Sequence, residues 1–290
     1  MTRLSSGPQT FLFRFGYESP EEWLSNQRDG TDFESSAAAW VAAADAAQAE
    51  DLGRGYAHRF VAGVFHDAGV AFPGWLDSDY AHWLEPESDI EATPSELEDI
   101  PRIRMPEPIS VQTERLVRRE LRDSDFEAVH AYATDSVVVK FMPWGPNSDA
   151  DTVAFLMRAA NQAVVDPRRE YELAITRGDT GELLGAIGLH QVDPGEPTAM
   201  LGYCLARPAW GHGYATEAGR AMMRFGFLDL GVESVWAGCD AENAASISVL
   251  EKLGMVAQPQ EQQRNVGLSE GGSVMYRLRA SEWTGRGSTT

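Results

Sequence analysis

Hydrophobic positions along the 290-residue chain change their period several times, and each change predicts an element. Residues 11–15 (FLFRF) predict a short strand. Ser19-Pro20-Glu21-Glu22 reads as a helix start, with Ser at the N-cap and Pro at the first position. Residues 36–44 (SAAAWVAAA) fit strand or helix. Leu52, Tyr56, Phe60 and Val64 recur every four residues, which predicts a helix over 46–68 that ends at Gly69. Irregular aromatic stretches surround Gly74-Trp75 and His82-Trp83. These signals suggest a small α+β domain at 1–84. From Glu85 to Asp99 come seven carboxylates and no base, interrupted by Pro86 and Pro94 and followed by Pro101 and Pro106. Self-repulsion and proline stiffness predict an extended linker over 85–108.

After Val111 the pattern is regular. Residues 114–121 alternate as a strand, and Asp123 reads as the cap of a helix over 124–134. Asp149 or Asp151 opens another helix to Val164. Residues 170–177 and 182–190 form a hairpin around Gly178-Asp179-Thr180-Gly181, whose glycines supply the positive φ of a tight turn. Strands at 198–206, 232–238 and 273–279 alternate with helices at 214–229 and 245–253. Residues 281–290 read as a frayed tail.

Composition narrows the function. The net charge is −20; residues 1–108 hold 7 basic and 20 acidic side chains, and residues 109–290 hold 17 and 24. Such a field disfavours nucleic acid and anionic membrane and favours a cationic partner, or serves solubility alone. Two cysteines, Cys204 and Cys239, are too few for a disulfide framework and give no metal-ligand spacing. With no long apolar run and no apolar segment in residues 1–10, the expectation is a cytoplasmic protein without a metal.

The chemistry concentrates in Arg207-Pro208-Ala209-Trp210-Gly211-His212-Gly213-Tyr214-Ala215-Thr216-Glu217-Ala218, between an apolar strand and an amphipathic helix. Two glycines permit a tight turn and close approach, and the first helical turn offers unpaired amides at the positive end of the helix dipole. That arrangement suits a pyrophosphate, although an ordinary turn reads the same way. No Gly-Lys-Ser/Thr follows, and the third glycine of a dinucleotide fingerprint is missing. Downstream, Asn243 can cap a helix that carries Ser246 and ends at Lys252-Leu253-Gly254.

Residues 111–280 resemble the GNAT superfamily of N-acetyltransferases, in particular its RimJ/RimL-like branch. The resemblance rests on Thr113-Glu114-Arg115-Leu116-Val117, Gly202-Tyr203, Trp210 to Ala218, and Asn243-Ala244-Ala245-Ser246 with Lys252-Leu253-Gly254. Phe141-Met142-Pro143-Trp144 resembles the segment between the family's first two helices, where the aromatics would line the acceptor cleft or fill core. The resemblance implies an α/β (α+β) fold, a mixed, mostly antiparallel sheet flanked by helices at 109–280, preceded by the additional small domain. It implies acetyl-CoA as co-substrate, with the pyrophosphate on Gly211, His212, Gly213, Tyr214, Ala215 and Thr216. Leu205, Ala206 and Arg207 would meet the pantetheine as their strand splays from the one near 232–239. Asn243 and Ser246 would meet it from the helix.

The family's reaction is direct attack of an amine on the thioester, which needs a base, an oxyanion donor and an acid. A backbone amide within Tyr203 to Leu205 is the donor candidate. Ser246 is the acid candidate, with Tyr203 behind it, unless Ser246 only binds the cofactor. The branch often carries Glu before the Gly-Tyr strand segment; here Met200 stands at that position. His190 and Glu172 are the substitutes, or else an edge histidine, a solvated carboxylate and a water chain. The acceptor would be a primary amine, whether a protein N-terminus, an amino acid, a polyamine or an aminoglycoside-like compound, and the acidic surface is consistent with a cationic one without choosing among them. A non-catalytic acyl-CoA sensor remains the alternative, as does a homodimerising or substrate-recruiting role for residues 1–105.

Overall fold

The structure, a computed structural model, describes residues 9–30, 35–70, 82–90, 100–104, 109–190, 197–259 and 272–283. The chain forms two compact units: residues 1–107 with 153–168, and residues 108–152 with 169–290. The expected Gly74-Trp75 segment, most of the acidic stretch and most of the tail lie outside the described residues.

In the first unit, strands β1 (Gln9–Tyr17) and β2 (Ser35–Ala43) pair antiparallel, with Phe11 opposite Val41, Phe13 opposite Ala39 and Phe15 opposite Ala37. Small residues on β2 leave room for the three rings, which settles 36–44 as strand. Helix α2 (Ala46–Asp67) covers this face with Tyr56, Ala57, Val61 and Phe65. Its Gly53 is required by contact, since a Cβ there would lie 2.3 Å from the Phe13 ring. Helix α1 (Pro20–Asp29) starts with a reciprocal cap in which Ser19 N–H donates to Glu22 Oε2 at 2.7 Å and Glu22 N–H to Ser19 Oγ at 3.3 Å.

The expected linker differs from what folds. His82–Pro86 is strand β3, antiparallel to β1, so His82-Trp83 is not irregular. Arg102–Arg104 is strand β4, parallel to β2, with Ile103 buried in the core. Open edges of β1 and β2 carry unpaired backbone groups, and these short strands satisfy them. Helix α4 (Asp149–Val164) runs into β7 (Val165–Asp166), which pairs with β4. The first unit thus takes residues 153–168 back from the expected 109–280 domain, and no single cut separates the two.

The second unit is built on a sheet of order β12-β13-β11-β10-β9-β8-β6-β5. Its strands are β5 (Val111–Gln112), β6 (Leu116–Glu120), β8 (Glu170–Arg177), β9 (Leu183–His190), β10 (Thr198–Leu205), β11 (Ser234–Asp240), β12 (Val256–Ala257) and β13 (Ser273–Arg279). Pairing is antiparallel except between β10 and β11. Helices α5 (Tyr214–Arg224) and α6 (Ala244–Lys252) contribute Ala218, Met222, Met223 and Leu250 to the core. The 214–229 helix of the sequence reading changes to a wider π turn at Phe225–Asp229. Helix α3 (Phe126–Ala133) follows a 3-10 turn at Asp123–Asp125; Asp125 rather than Asp123 is its N-cap position, without a side-chain cap bond, and the Asp125 carboxylate instead closes the 3-10 turn by accepting Arg122 N–H at 2.8 Å.

Arg118 is fully buried on β6. It donates to Val111 O at 3.0 Å and Ala218 O at 3.3 Å, which ties the sheet edge to α5. Burial brings its pKa down to about 10 against the opposing charge of Glu217. Among the described residues no helix is long and apolar enough to cross a membrane.

Candidate active site

The site begins with a failure of strand pairing. Strands β10 and β11 are in parallel register at Thr198–Ser234, Ala199–Val235 and Met200–Trp236, and the register goes no further although β10 continues to Leu205 and β11 to Asp240. A slot therefore opens beside Leu201 to Leu205. Ala206 N–H donates to Leu184 O on the β9 side. Strand alternation then turns the backbone groups of Tyr203 and Leu205 the other way, toward the slot. Of the expected donors, Tyr203 and Leu205 face the slot, while Cys204 faces β9. The Leu205 carbonyl already accepts the Trp210 indole N–H at 2.8 Å, which anchors the following loop to the strand end.

That loop carries Gly211 and Gly213 at φ of 78° and 79°, where L side chains are strained. Gly213 caps α5 without a side-chain acceptor. Among the described residues no acceptor pairs with the N–H groups of Gly211 through Thr216. Six successive amides at a helix start make an anion cradle. Arg115, just before β6, fixes it: its Nη1 donates to His212 O at 3.0 Å, its Nε to Glu217 Oε2 at 2.7 Å, and its guanidinium lies 4.8 Å from the centre of the Tyr214 ring. Thr113 Oγ1 donates to Glu217 Oε1 at 2.6 Å. Burial disfavours the Glu217 charge, but the bonds from Thr113 and Arg115 outweigh it and hold its pKa below the usual carboxylate value.

Tyr203 pairs with Ile187 and so lies on the core face, where α6 begins. Its hydroxyl shares a hydrogen bond with Ser246 Oγ at 2.9 Å. Burial pushes Tyr203 up to about 12, so the phenol keeps its proton throughout the neutral range. Ser246 N–H donates to Asn243 Oδ1 at 3.1 Å, so Asn243 is the N-cap and its amide nitrogen is left for other contacts.

The opposite face holds the basic group. Glu172, Gly188 and Gly202 stand opposite one another on three strands, as do Glu170, His190 and Met200, and both rows share one face. His190 Nε2 lies 3.1 Å from Glu172 Oε2, with Glu170 Oε2 at 4.0 Å from the other ring nitrogen. Burial opposes the charged ring most, yet the Glu172 hydrogen bond and the charges of Glu172 and Glu170 prevail and raise the His190 pKa. The sequence offered His190 and Glu172 as separate candidates; the fold makes them one pair. Gly188 gives them space, because a Cβ there would lie 2.5 Å from both Glu172 Oε2 and His190 Nε2. Gly202 is exposed with open space above it. Gly188→Ala is therefore expected to push the pair apart and lower kcat by about tenfold or more, the scale of a misplaced general base, while leaving KM for acetyl-CoA near its original value. Steady-state kinetics checks this.

Arg207 Nη2 lies 2.8 Å from Asp135 Oδ2, which joins the strand end to the segment after α3. Trp144 is partly exposed, and Phe141 lies under Lys140 Nζ at 4.5 Å, so neither is a core aromatic. The sequence named Arg115 and Gly202 only as motif residues, and it gave no sign of Asp135 or Gly188. The Arg115–Glu217 bond spans 102 positions, and no local pattern announces it.

The acetyltransferase (GNAT) domain family matches residues 115–256. YnaD of Bacillus subtilis (strain 168), named an uncharacterized N-acetyltransferase, is 31% identical over 145 residues, covering 50% of this chain and 81% of that protein. The N-acetyltransferase p20 of Bacillus licheniformis, likewise named uncharacterized, is 28% identical over 144 residues, covering 50% and 80%. The crystal structure of a GNAT-family acetyltransferase from Bacillus anthracis matches with a TM-score of 0.52 at 27% identity, over 60% of this chain and 100% of that one. The chain belongs to the GNAT family of N-acetyltransferases, as its motifs implied.

Proposed function

We propose that this enzyme transfers an acetyl group from acetyl-CoA to a primary, cationic amine by direct attack. The observation that carries the reading is the slot between β10 and β11, which has a donor pair on one face of the sheet and a base pair on the other. The residues present fit the co-substrate: the free amides of Gly211 to Thr216 suit a pyrophosphate, the open edge at Tyr203 and Leu205 suits pantetheine amides, and Asn243 and Ser246 stand across from it. When bound, acetyl-CoA supplies the activated thioester.

The protein's own groups divide the remaining work. Glu172 and Glu170 attract an ammonium group to the open face over Gly188 and Gly202. His190, one strand in from β10 and so about 4.8 Å from it, takes the proton directly or through one water. The N–H of Tyr203 donates to the negative charge that develops on the carbonyl oxygen, which leaves the Leu205 N–H to the pantetheine. The Tyr203–Ser246 pair delivers a proton to the departing thiolate. Carboxylates near the acceptor and the acidic chain favour a polyamine-like amine or a protein N-terminus over a neutral acceptor. Free Cys204 and Cys239 suit a reducing cytoplasm. The first unit is the candidate module for recruiting that acceptor or for forming a homodimer.

Thiol release from acetyl-CoA across a panel of primary amines tests the reading. Release that depends on a cationic amine and scales with its concentration is expected. Binding of acetyl-CoA without release for any amine would favour the sensor alternative instead.

A further inference from the structure

Helix α3 packs on β9. It does so on the open face, because Ala174 and Ala186, which stand in one row with Cys204 there, are buried without belonging to the core under α5 and α6. The helix therefore roofs that row and leaves the next one, Glu172, Gly188 and Gly202, uncovered. Tyr132, in the last turn of α3, stands at the boundary. Its side chain is only 4% exposed, and Cys204 on the roofed row and Glu172 on the uncovered row both act on it electrostatically. Burial first, then those two groups and Asp125, push its pKa well above the usual phenol value, so the hydroxyl stays neutral. Yet among the described residues this hydroxyl has no hydrogen-bond partner. A buried phenol ordinarily finds one, since an unmet hydroxyl out of water costs stability. Beside it, His190 Nε2 takes Glu172 Oε2 at 3.1 Å, and no described residue takes Oε1. Two oxygens thus lack donors on one face, next to the slot. A ligand that satisfies both carries at least two N–H or O–H donors, and the carboxylate favours one with positive charge.

We propose that the Tyr132 hydroxyl oxygen accepts one N–H of the acceptor ammonium while Glu172 Oε1 accepts another, and that this pairing selects primary over secondary amines. A primary ammonium fills both oxygens and keeps a third N–H for the proton that the base removes. A secondary ammonium has only two, so one oxygen stays unmet or the base finds no proton. The pairing rests on the acetyl-transfer reading above and deepens it to a kind of amine.

The test compares a primary amine that the enzyme turns over with the same amine N-methylated at the reacting nitrogen, in the wild type and in Tyr132→Phe, with thermal unfolding alongside. In the wild type, kcat/KM is expected to be about tenfold or more higher for the primary amine, the scale of one hydrogen bond to a charged group. Tyr132→Phe removes only the oxygen. It lowers kcat/KM for the primary amine to near that of the N-methyl amine and leaves the N-methyl value and KM for acetyl-CoA in place. The unfolding midpoint stays or rises, because no bond within the protein is lost. A preference that survives in Tyr132→Phe, or equal losses for both amines with a lowered unfolding midpoint, would overturn the proposal while leaving acetyl transfer intact. Acetyl-CoA binding with no turnover of any amine by the wild type would instead overturn the reading on which it rests.

Discussion

Gly213→Trp is expected to abolish acetyl transfer while the protein stays folded. Gly213 sits at φ 79°, a region that costs an L residue about 1–2 kcal/mol. A Cβ at this position meets only Arg115 Nη2, at an ordinary 3.6 Å. The fold therefore tolerates the change with a modest loss of stability. The indole, however, projects from the centre of the amide cradle and fills the space an anion would occupy. Losing several charge-assisted bonds at once lowers kcat/KM by about 1,000-fold or more. Thiol release measures the rate, and thermal unfolding confirms that the variant is native. A folded variant with wild-type kcat/KM would show that the loop does not hold the donor.

The second large effect lies in the base pair. His190→Gln is expected to reduce kcat by about 100-fold or more, within the range for loss of a general base, with little change in KM for acetyl-CoA. The pH profile supplies the sharper test. Glu172 and Glu170 raise the His190 pKa, so the ring keeps its proton to higher pH than a free imidazole. As a base it must be neutral, so activity rises as pH climbs through that raised value. Glu172→Gln removes the hydrogen bond to a charge and its coulombic pull, which lowers the pKa and moves the acid limb to lower pH. The same linkage acts on stability with the opposite dependence. Protonated His190 bonded to Glu172 contributes stability below the unfolded pKa, and that contribution fades as pH rises through the folded value. An acid limb that is identical in wild type and Glu172→Gln would remove His190 as the base.

What the sequence made legible follows from how local each signal is. The glycine loop, the Ser19 cap, the Asn243 cap and the hairpin at 170–190 each depend on residues within a few positions, and each formed where the pattern placed it. Strand β4 was invisible because it spans three residues and buries one, Ile103, between two exposed arginines. Proline and negative charge dominated the composition there, while the deciding factor was an unpaired edge of β2 far along the chain. Arg118 shows the same limit from the other side. A charged residue in an alternating strand reads as outward-facing, yet it is buried because Val111 O and Ala218 O need donors. The candidate site was legible as a set of residues and not as pairs. His190 with Glu172, Tyr203 with Ser246, and Arg207 with Asp135 depend on register across strands or on segments far apart.

In the proposed reaction the slot couples thioester cleavage to acylation of an amine. A single turnover of the full chain, with acetyl-labelled acetyl-CoA and a cationic primary amine, measures this by following free thiol and labelled product together. One labelled acetyl on the amine nitrogen for each thiol released is the result the account predicts; thiol released with the label recovered as free acetate, at a rate independent of the amine, would contradict it.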